Sequence, residues 1–223
     1  MTLTLILPQF APNLYDLAIM LQADRVLLLD LEQWSRKSRV HRAQIRTPGG
    51  TQWINIPVRT GDRKKPIREV RIDHDEEWIT PLLRSLEYNY RNSIYYDFYE
   101  PEIRAEFEGA AEYEYLQPFV LHLQRRLLRF MELEIEWEPA SGLDRYSSDP
   151  DELAEMLGAD ILYQEHESRH YLRQAEGKQE PDFEHPSYHQ HFEGFEPWCC
   201  ILDLLFQFGP ESFRIVEMVN GED

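Results

Sequence analysis

The first thirty residues limit the fold of this chain more than any other stretch. Residues 2–7 are a short run rich in Leu, Ile and Thr, which predicts a buried strand. Residues 14–21 place apolar side chains at the spacing of an amphipathic helix, and residues 25–29 form a second apolar run before Asp30. A strand, a helix and a strand in this order predict a Rossmann-like β-loop-α-β opening.

Polar side chains follow both of these strands. Gln9 and Asn13 lie in the loop after the first strand, and Asp30 comes directly after the second. If the two strands pair in parallel, all three side chains lie near the carboxyl end of the sheet, where open α/β sheets usually bind ligands. We therefore count Gln9, Asn13 and Asp30 as candidate site residues.

The remaining chain continues to alternate strands with helices, which indicates an α/β protein. Residues 31–52 are basic and irregular, with a turn at Pro48-Gly49-Gly50. Strands are predicted at residues 53–58, 67–72, 134–137 and 160–163, with residues 213–218 as a last strand or a short extension. Helices are predicted at residues 78–90, 102–131 with an interruption at Pro118, 150–157 and 198–208.

We expect one domain, residues 1–223, with a mainly parallel sheet and helices packed on it. The helices of residues 102–131 and 198–208 are expected to cover the sheet. A division into lobes 1–132 and 133–223 is the alternative.

The charge of the chain is unevenly distributed. The net charge is −18, yet residues 36–71 contain eleven Lys or Arg and only two acids, a local charge of +9. Arg presents a planar fork that pairs with two oxygens, so this basic island (residues 36–71) predicts a site for phosphate or carboxylate. The alternative is that these residues pair with the acidic remainder, and both interpretations stay open.

The acidic net charge also limits the partners. The overall field repels the phosphate backbone of nucleic acids, whereas a local basic groove still suits a small anion. We expect a small anionic or nucleotide-activated substrate and no nucleic acid.

Composition indicates a reducing compartment. Cys199 and Cys200 are adjacent, and no other cysteine is present to close a loop through a disulfide. The apolar residues 1–7 lack the basic region of a signal peptide, and no apolar run approaches the roughly 18–20 residues of a membrane span. We expect a cytoplasmic protein without membrane insertion, and the oligomeric state stays open.

Histidine and cysteine residues gather in the last third of the chain. Five of the eight histidines lie in residues 166–191, but their spacing matches no zinc motif, and local hydrogen bonding is the alternative. We predict no metal and no cofactor. Cys199 and Cys200 lie in an apolar helix, which favours buried packing over a role as nucleophiles.

Asp203 is the one charged residue in the apolar run of residues 198–208. A buried carboxylate needs a partner. We predict that Asp203 is at least half buried and bonded to an Arg, Lys or His side chain or to backbone N–H groups. A solvent-exposed position at the edge of the helix is the alternative.

An ordered set of segments resembles the WbqC-like family of bacterial proteins. LPQFAPNLYDLAIMLQADRVLLLD, at residues 7–30, resembles the opening of that family, and WINIPV, at residues 53–58, resembles its Trp-x-x-x-Pro-Val strand. The segment DLEQWSRKSRVHRAQI matches at Asp30, Gln33, Lys37, Ser38, Arg42 and Ile45. Later segments match at Gly158, Ala159, Tyr163, Tyr188, Gln190, Phe192 and residues 202–206.

The chain also departs from the family pattern. In the first loop Pro8 precedes Gln9, which departs from the family's order of these two residues. Residues 164–167 stand where the family has a Gly-rich turn. Arg39, His41, Ala43 and Gln44 stand where the family tends to show Trp, Asn, Asn and Arg. If these positions contact substrate, specificity is altered or activity is lost.

The resemblance implies a role in cell-surface polysaccharide (O-antigen) biosynthesis. The expected reaction transfers glycine, another amino acid or an acyl group from an activated anionic donor. In this mechanism Asp30 or His41 is the general base, and Gln9 orients the substrate. The predicted anion-binding side chains are Arg36, Lys37, Arg39 and Arg42, and the wider substrate site adds Asn13, Gln33, Tyr163 and Asp203. A non-catalytic ligand-binding or scaffold protein of the same pathway is the alternative.

Overall fold

The computed structural model describes residues 1–166 and 168–219, in which strands and helices alternate. In chain order the elements are β1 (Thr2–Ile6), α1 (Leu14–Leu21), β2 (Arg25–Leu28), β3 (Arg42–Thr47), β4 (Gly50–Asn55), α2 (Ile79–Tyr90), α3 (Tyr96–Glu108), α4 (Leu116–Phe130), β5 (Glu138–Pro139), α5 (Pro150–Leu157), β6 (Ile161–Gln164), α6 (Ile201–Phe208) and α7 (Ser212–Glu217). A four-stranded sheet is parallel, with the strand order β5, β2, β1, β6. The strands β3 and β4 form a separate antiparallel hairpin. The predicted α/β class with a mainly parallel sheet is confirmed.

The amino-terminal strands and helix form at their predicted positions. β1 pairs in parallel with β2 on one side and with β6 on the other. Residues 3–6 of β1 are all buried, as expected for a parallel strand that is covered on both faces. The polar side chain among them, Thr4, donates its hydroxyl to the Ile19 carbonyl of α1 at 2.6 Å, which satisfies it inside the core.

The hairpin corrects the interpretation of residues 31–52 as irregular. β3 and β4 pair along six residues each, and the chain reverses at Pro48 and Gly49. Only Ala43 and Ile45 of β3 are apolar and buried, and they alternate with polar side chains. This period of two is the pattern of a strand, although only two of its six residues are apolar. Arg46, on the opposite face, is buried as well.

Other strands differ in position or type from the prediction. β4 lies three residues before the predicted strand at residues 53–58, and β5 follows the strand predicted at residues 134–137. The strand predicted at residues 67–72 contains instead a 3₁₀ turn. Ile67 and Val70 are both fully buried, and a spacing of three fits one turn of this helix.

The helices are predicted more accurately than the strands. Helix α5 has the expected caps, with the Asp149 side chain accepting backbone N–H groups and Gly158 ending the helix at a φ of 71°. The helix predicted at residues 102–131 is two helices, α3 and α4, and Pro118 lies in the first turn of α4. Residues 213–218, predicted as a strand or extension, belong largely to α7. In the part of the chain that the structure describes, no helix is both long and apolar enough to cross a bilayer.

A long connection precedes α6. Residues 171–199, all of which the structure describes, form neither helix nor strand. Leu172 and Tyr188 of this long connection belong to the cluster of buried side chains that extends from Leu3 to Val216. Connections of this length without secondary structure are uncommon in compact domains and are usually either functional segments or linkers. The division of the chain into one domain or two lobes stays a prediction.

Candidate functional site

The loops that follow β1 and β6 meet at the carboxyl end of the parallel sheet. Leu5 is paired with Gln164, so the next residues of both strands leave the sheet side by side. The Leu7 amide donates a hydrogen bond to Glu165 Oε2 at 2.7 Å. Because open α/β sheets bind ligands at this end, the groups around Glu165 form the candidate site.

Five side chains gather at this point, and we call them the carboxylate cluster: Gln9, Asp16, Arg39, Glu165 and Tyr171. Gln9 Nε2 lies 3.2 Å from Asp16 Oδ2 and 3.4 Å from Glu165 Oε2, so one amide bridges both carboxylates. An Arg39 Nη2–Asp16 Oδ2 distance of 2.6 Å shows an ion pair. Tyr171 donates its hydroxyl to Glu165 Oε1.

Asp16 is positioned by the start of α1. The Asn13 side chain caps this helix by accepting a hydrogen bond from the Asp16 amide at 2.9 Å. Asp16 therefore lies in the first turn, where the helix dipole favours a negative charge, and it is fully buried. Its Oδ1 accepts the His166 amide at 2.8 Å, which joins α1 to the loop after β6.

The electrostatics of the cluster bring Glu165 into the neutral pH range. Burial raises the pKa of Glu165 to about 7; the Arg39 charge opposes this shift and the Asp16 charge adds to it. Burial also raises the pKa of Tyr171 far above its ordinary value, so this phenol keeps its proton. A carboxyl group that changes protonation near pH 7 suits general acid–base catalysis.

The carbonyl oxygen of Gln9 points to a further hydrogen-bond donor. Gln9 is only 1% exposed, and its Oε1 has no partner among the described residues. An unpaired buried carbonyl costs about 1–3 kcal/mol. An O–H or N–H group of a ligand is a suitable donor for it, in keeping with the predicted role of Gln9 in orienting substrate.

The predicted anion-binding residues lie in the loop between β2 and β3 and at the start of β3. Arg36 and Lys37 are exposed, whereas Arg39 turns inward to the carboxylate cluster. Arg42 lies with its guanidinium carbon 4.1 Å from the centroid of the Trp53 ring. Burial lowers the pKa of Arg42, and the charges of Arg39 and Arg36 lower it further. The three arginines therefore lie close enough to act on one another beside the cluster.

The other end of the basic island is internally paired. The carboxylate of Asp62 lies 2.8 Å from Arg71 Nε and 2.7 Å from Lys65 Nζ. Hydrogen bonding to Arg71 keeps the pKa of Asp62 well below its ordinary value. The ion-pair interpretation therefore describes this end of the island, and the exposed Arg36 and Lys37 lie at the other end.

Asp30 links elements at the carboxyl end of the sheet. It is buried, with Oδ1 accepting the Ser141 amide at 2.9 Å and Oδ2 accepting the Ser141 hydroxyl at 2.5 Å. Gln117 of α4 donates to the same carboxylate at 3.3 Å. These bonds fix α4 and the loop after β5 to the end of β2, which favours a structural role over the predicted role as general base.

His41, the other predicted base, is buried against Trp34, with ring centroids 4.9 Å apart. Burial lowers the pKa of His41 to about 3, and the neighbouring charge of Arg42 adds to the effect. An imidazole with so low a pKa is a weak base at neutral pH. Glu165 is better suited to that role.

Asp203 is fully buried as predicted, but its predicted partners are wrong. Oδ1 accepts the Tyr90 hydroxyl, and Oδ2 accepts the Tyr188 hydroxyl and Gln190 Nε2, each at 3.0 Å. We call these four residues the Asp203 hub. Burial raises the pKa of Asp203, and the donors of the hub oppose that shift. Neutral donors thus occupy the place expected for Arg, Lys or His, and they tie the long connection to α6.

The other predicted site residues are Gln33, Tyr163 and Asn13, and of these Asn13 contacts the carboxylate cluster, through the Asp16 amide. Gln33 is exposed and forms a backbone bridge with Pro66, whereas Tyr163 is partly buried on β6 beside Thr4. Asn13 acts as the cap of α1. Their predicted contact with substrate stays a prediction.

Aromatic packing dominates the histidine-rich stretch. His166 stacks on Trp198 with ring centroids 3.8 Å apart, and Phe183 packs on the same indole. Cys199 and Cys200 are buried, as predicted, and burial raises the pKa of Cys200 to about 12. Within residues 1–166 and 168–219, no group of three or more His, Cys, Asp or Glu is arranged to hold a metal ion.

Sequence reasoning missed three members of the carboxylate cluster, which are Asp16, Glu165 and Tyr171. A signal for two of them was present. Glu165 comes two residues after the strand predicted at residues 160–163, much as Asp30 follows its own strand, and Asp16 is the only charged residue of α1. Nothing in the local sequence identifies Tyr171, because its contact with Glu165 depends on the turn at Ser168–His170.

Comparison with known proteins places these features in a family. The family model described as the WbqC-like protein family matches residues 8–215, which include the whole carboxylate cluster. The uncharacterized protein Rv1507c of Mycobacterium tuberculosis (strain ATCC 25618 / H37Rv) is 28% identical over 204 residues, which cover 85% of this chain and 86% of that protein. No solved structure matches this chain.

Proposed function

Because this chain belongs to the WbqC-like protein family, we propose that it is a transferase of cell-surface polysaccharide biosynthesis. The reaction moves an amino acid such as glycine, or another acyl group, from an activated anionic donor to a sugar. The reducing setting inferred from Cys199 and Cys200 makes the cytoplasm its proposed location.

The observation that carries this proposal is the environment of Glu165. This carboxyl group is buried at the carboxyl end of a parallel sheet, and its pKa is raised towards neutrality. Acyl transfer needs a base that removes a proton from the attacking hydroxyl or amine, and such a base works best with a pKa near the working pH. Glu165 therefore takes the role of general base that was predicted for Asp30 or His41.

The surrounding residues have complementary roles. Arg39 pairs with Asp16 and keeps a positive charge beside Glu165. Arg36, Lys37 and Arg42 offer positive charge for the phosphate or carboxylate of the donor and for the negative charge that develops on the leaving group. Gln9 holds both carboxylates with its amide and offers its carbonyl to the substrate.

Glu165→Gln tests the proposal, because it keeps the shape of the side chain and removes the base. The purified protein is incubated with nucleotide-activated sugars and aminoacyl donors, and products are measured by mass spectrometry. We expect turnover by the natural sequence and a loss of about 100-fold or more in kcat for Glu165→Gln. Glu155→Gln, at an exposed position of α5, is the matched control and should keep full activity.

One observation favours a non-catalytic binding protein as the second candidate. Both oxygens of Asp16 and both oxygens of Glu165 already accept hydrogen bonds from the protein itself. Such a cluster also serves to fix the loops around a binding site. Saturable donor binding without turnover, unchanged in Glu165→Gln, would support this candidate and remove the transferase.

A further inference from the structure

Glu165 is enclosed by the protein. Glu165 is only 2% exposed. Oε2 accepts the Leu7 amide at 2.7 Å and faces the Gln9 amide at 3.4 Å. The other oxygen, Oε1, accepts the Tyr171 hydroxyl. A substrate therefore reaches the proton-accepting group only through a neighbouring side chain or after these bonds are broken.

Tyr171 is the more exposed of these two bonded residues. It is partly exposed, whereas Glu165 is buried. Its amide donates to the Ser168 carbonyl at 2.9 Å, and the next residue, Leu172, is buried in the core. The phenol is thus fixed at its base, with its hydroxyl on Glu165.

The phenol belongs to the same bonded group as Arg39, one of the predicted anion-binding residues. Tyr171 donates to Glu165, Gln9 bridges Glu165 and Asp16, and Arg39 pairs with Asp16. Because Glu165 is buried and Tyr171 is partly exposed, Tyr171 is the residue of this pair that an acceptor from solvent meets first.

We infer that Tyr171 is a catalytic residue that contacts the acceptor and relays its proton to Glu165. The inference rests on the proposed transferase function. The acceptor O–H or N–H gives its proton to the Tyr171 oxygen while the Tyr171 proton moves to Glu165 Oε1. The freed electron pair of the acceptor forms the new bond to the acyl carbon. The leaving group departs with the electrons of the broken bond, and Glu165 later returns the proton to solvent or to the leaving group.

Tyr171→Phe tests the relay, because it keeps the aromatic ring and removes only the hydroxyl. With the donors and acceptors used above, we expect kcat to fall about 100-fold or more while KM changes less than about threefold. A curved dependence of kcat on the D₂O fraction, expected when two protons move together, should be seen in the natural sequence. The limb of the pH–rate profile that reports the ionisation of Glu165 should move to higher pH in the variant, because the hydrogen bond from Tyr171 lowers the pKa of Glu165.

Tyr146→Phe is the matched control. Tyr146 is also partly exposed and donates its hydroxyl to a carboxylate, that of Glu32. We expect this variant to keep kcat within about twofold, since no role in proton transfer is assigned to it. Comparable losses in both variants would attribute the effect to a lost structural hydrogen bond and overturn the relay.

The outcomes separate this inference from the proposed function. An active natural protein whose Tyr171→Phe variant keeps more than about half of kcat overturns the relay and leaves the transferase standing. A rise in KM with unchanged kcat overturns it as well, because the hydroxyl then serves binding alone. Absence of turnover by the natural sequence removes the proposed function and the relay together.

Discussion

Single residues in this chain show how similar buried carboxylates acquire different roles. Asp203 and Asp30 are each held by neutral donors of the protein, which stabilise a charge without offering it to a ligand. Glu165 instead lies beside a second carboxylate and a guanidinium, so its protonation responds to small changes of environment. Asp16, the second carboxylate beside Glu165, is fully buried.

Asp203→Ala should lower the free energy of unfolding by about 3–5 kcal/mol. The substitution leaves two tyrosine hydroxyls and the Gln190 amide buried without their acceptor, and it opens a cavity in α6. Urea unfolding followed by circular dichroism measures the change. Asp144→Ala, at an exposed position, is the control and should change stability by less than about 0.5 kcal/mol. A similarly small change for Asp203→Ala would contradict the importance of the hub.

The sequence predicted the burial of Asp203 but not its partners. Burial follows from neighbours within one helix, where Leu202 and Leu204 are apolar and buried as well. The partners Tyr90, Tyr188 and Gln190 come from α2 and from the long connection, so they depend on tertiary packing. The same limit applies to the carboxylate cluster, whose members meet only when β1 and β6 are paired.

Among the elements, helix ends carry the strongest local signals. Gly158 and Gly209 both adopt a positive φ after a helix, at 71° and 53°. Glycine adopts such angles without the strain that a Cβ atom brings. The two glycines differ in the space around them. A Cβ atom added at Gly209 would lie 2.6 Å from Tyr95 Cδ1, whereas a Cβ atom added at Gly158 would have no surrounding heavy atom within 4 Å.

Gly209→Ala should therefore cost more stability than Gly158→Ala. We expect a loss of about 1 kcal/mol at Gly158 from backbone strain alone. At Gly209 the contact with the Tyr95 ring adds a steric cost, for a total of about 3 kcal/mol. Thermal and urea unfolding of both variants measure the difference. Equal losses would mean that Tyr95 moves aside freely and that the end of α6 tolerates a side chain.

Local signals also explain which elements the sequence predicts well. Helices α1 and α5 have a capping side chain and an apolar repeat within their own residues, and both form where predicted. β3 carries only two buried apolar residues, and β5 is two residues long, so neither has a pattern long enough to recognise. Their positions are set by pairing with β4 and β2, which sequence spacing does not reveal.

For the molecule as a whole, the uneven charge distribution is the basis of the predicted anion site. A net charge of −18 repels anions in general, whereas Arg36, Lys37 and Arg42 are the side chains predicted to attract them. The sheet that supports this site takes β1 and β2 from one half of the chain and β5 and β6 from the other. Both halves of the chain therefore contribute strands to the sheet that carries the candidate site.

Arg42→Ala should weaken the binding of inorganic pyrophosphate, used as a probe, by about tenfold. The arginine offers a positive charge beside the site, although its Nε and Nη2 donate to the Ser38 and Lys37 carbonyls. Its loss also removes the cation from the Trp53 ring. Isothermal titration calorimetry at low and high salt measures the affinity, which should fall as salt screens the charges.

Arg63→Ala is the control, because Arg63 is an exposed arginine of the same basic island outside the predicted anion site. It should bind the probe as the natural sequence does. Equal weakening in both variants would show that the probe senses only the total charge of the island. No binding to the natural sequence would remove the anion site.

The pairing of β1 with β6 has a consequence for the synthesis of this protein. Thr2 leaves the ribosome before its partner Ile161, which is made about 160 residues later. At about 5–20 residues per second, one edge of β1 stays open for roughly 10–30 seconds. An open apolar strand offers its backbone to wrong partners, including strands of neighbouring nascent chains. We therefore expect the growing polypeptide to expose a strand edge that the finished fold, in which β1 lies between β2 and β6, does not offer.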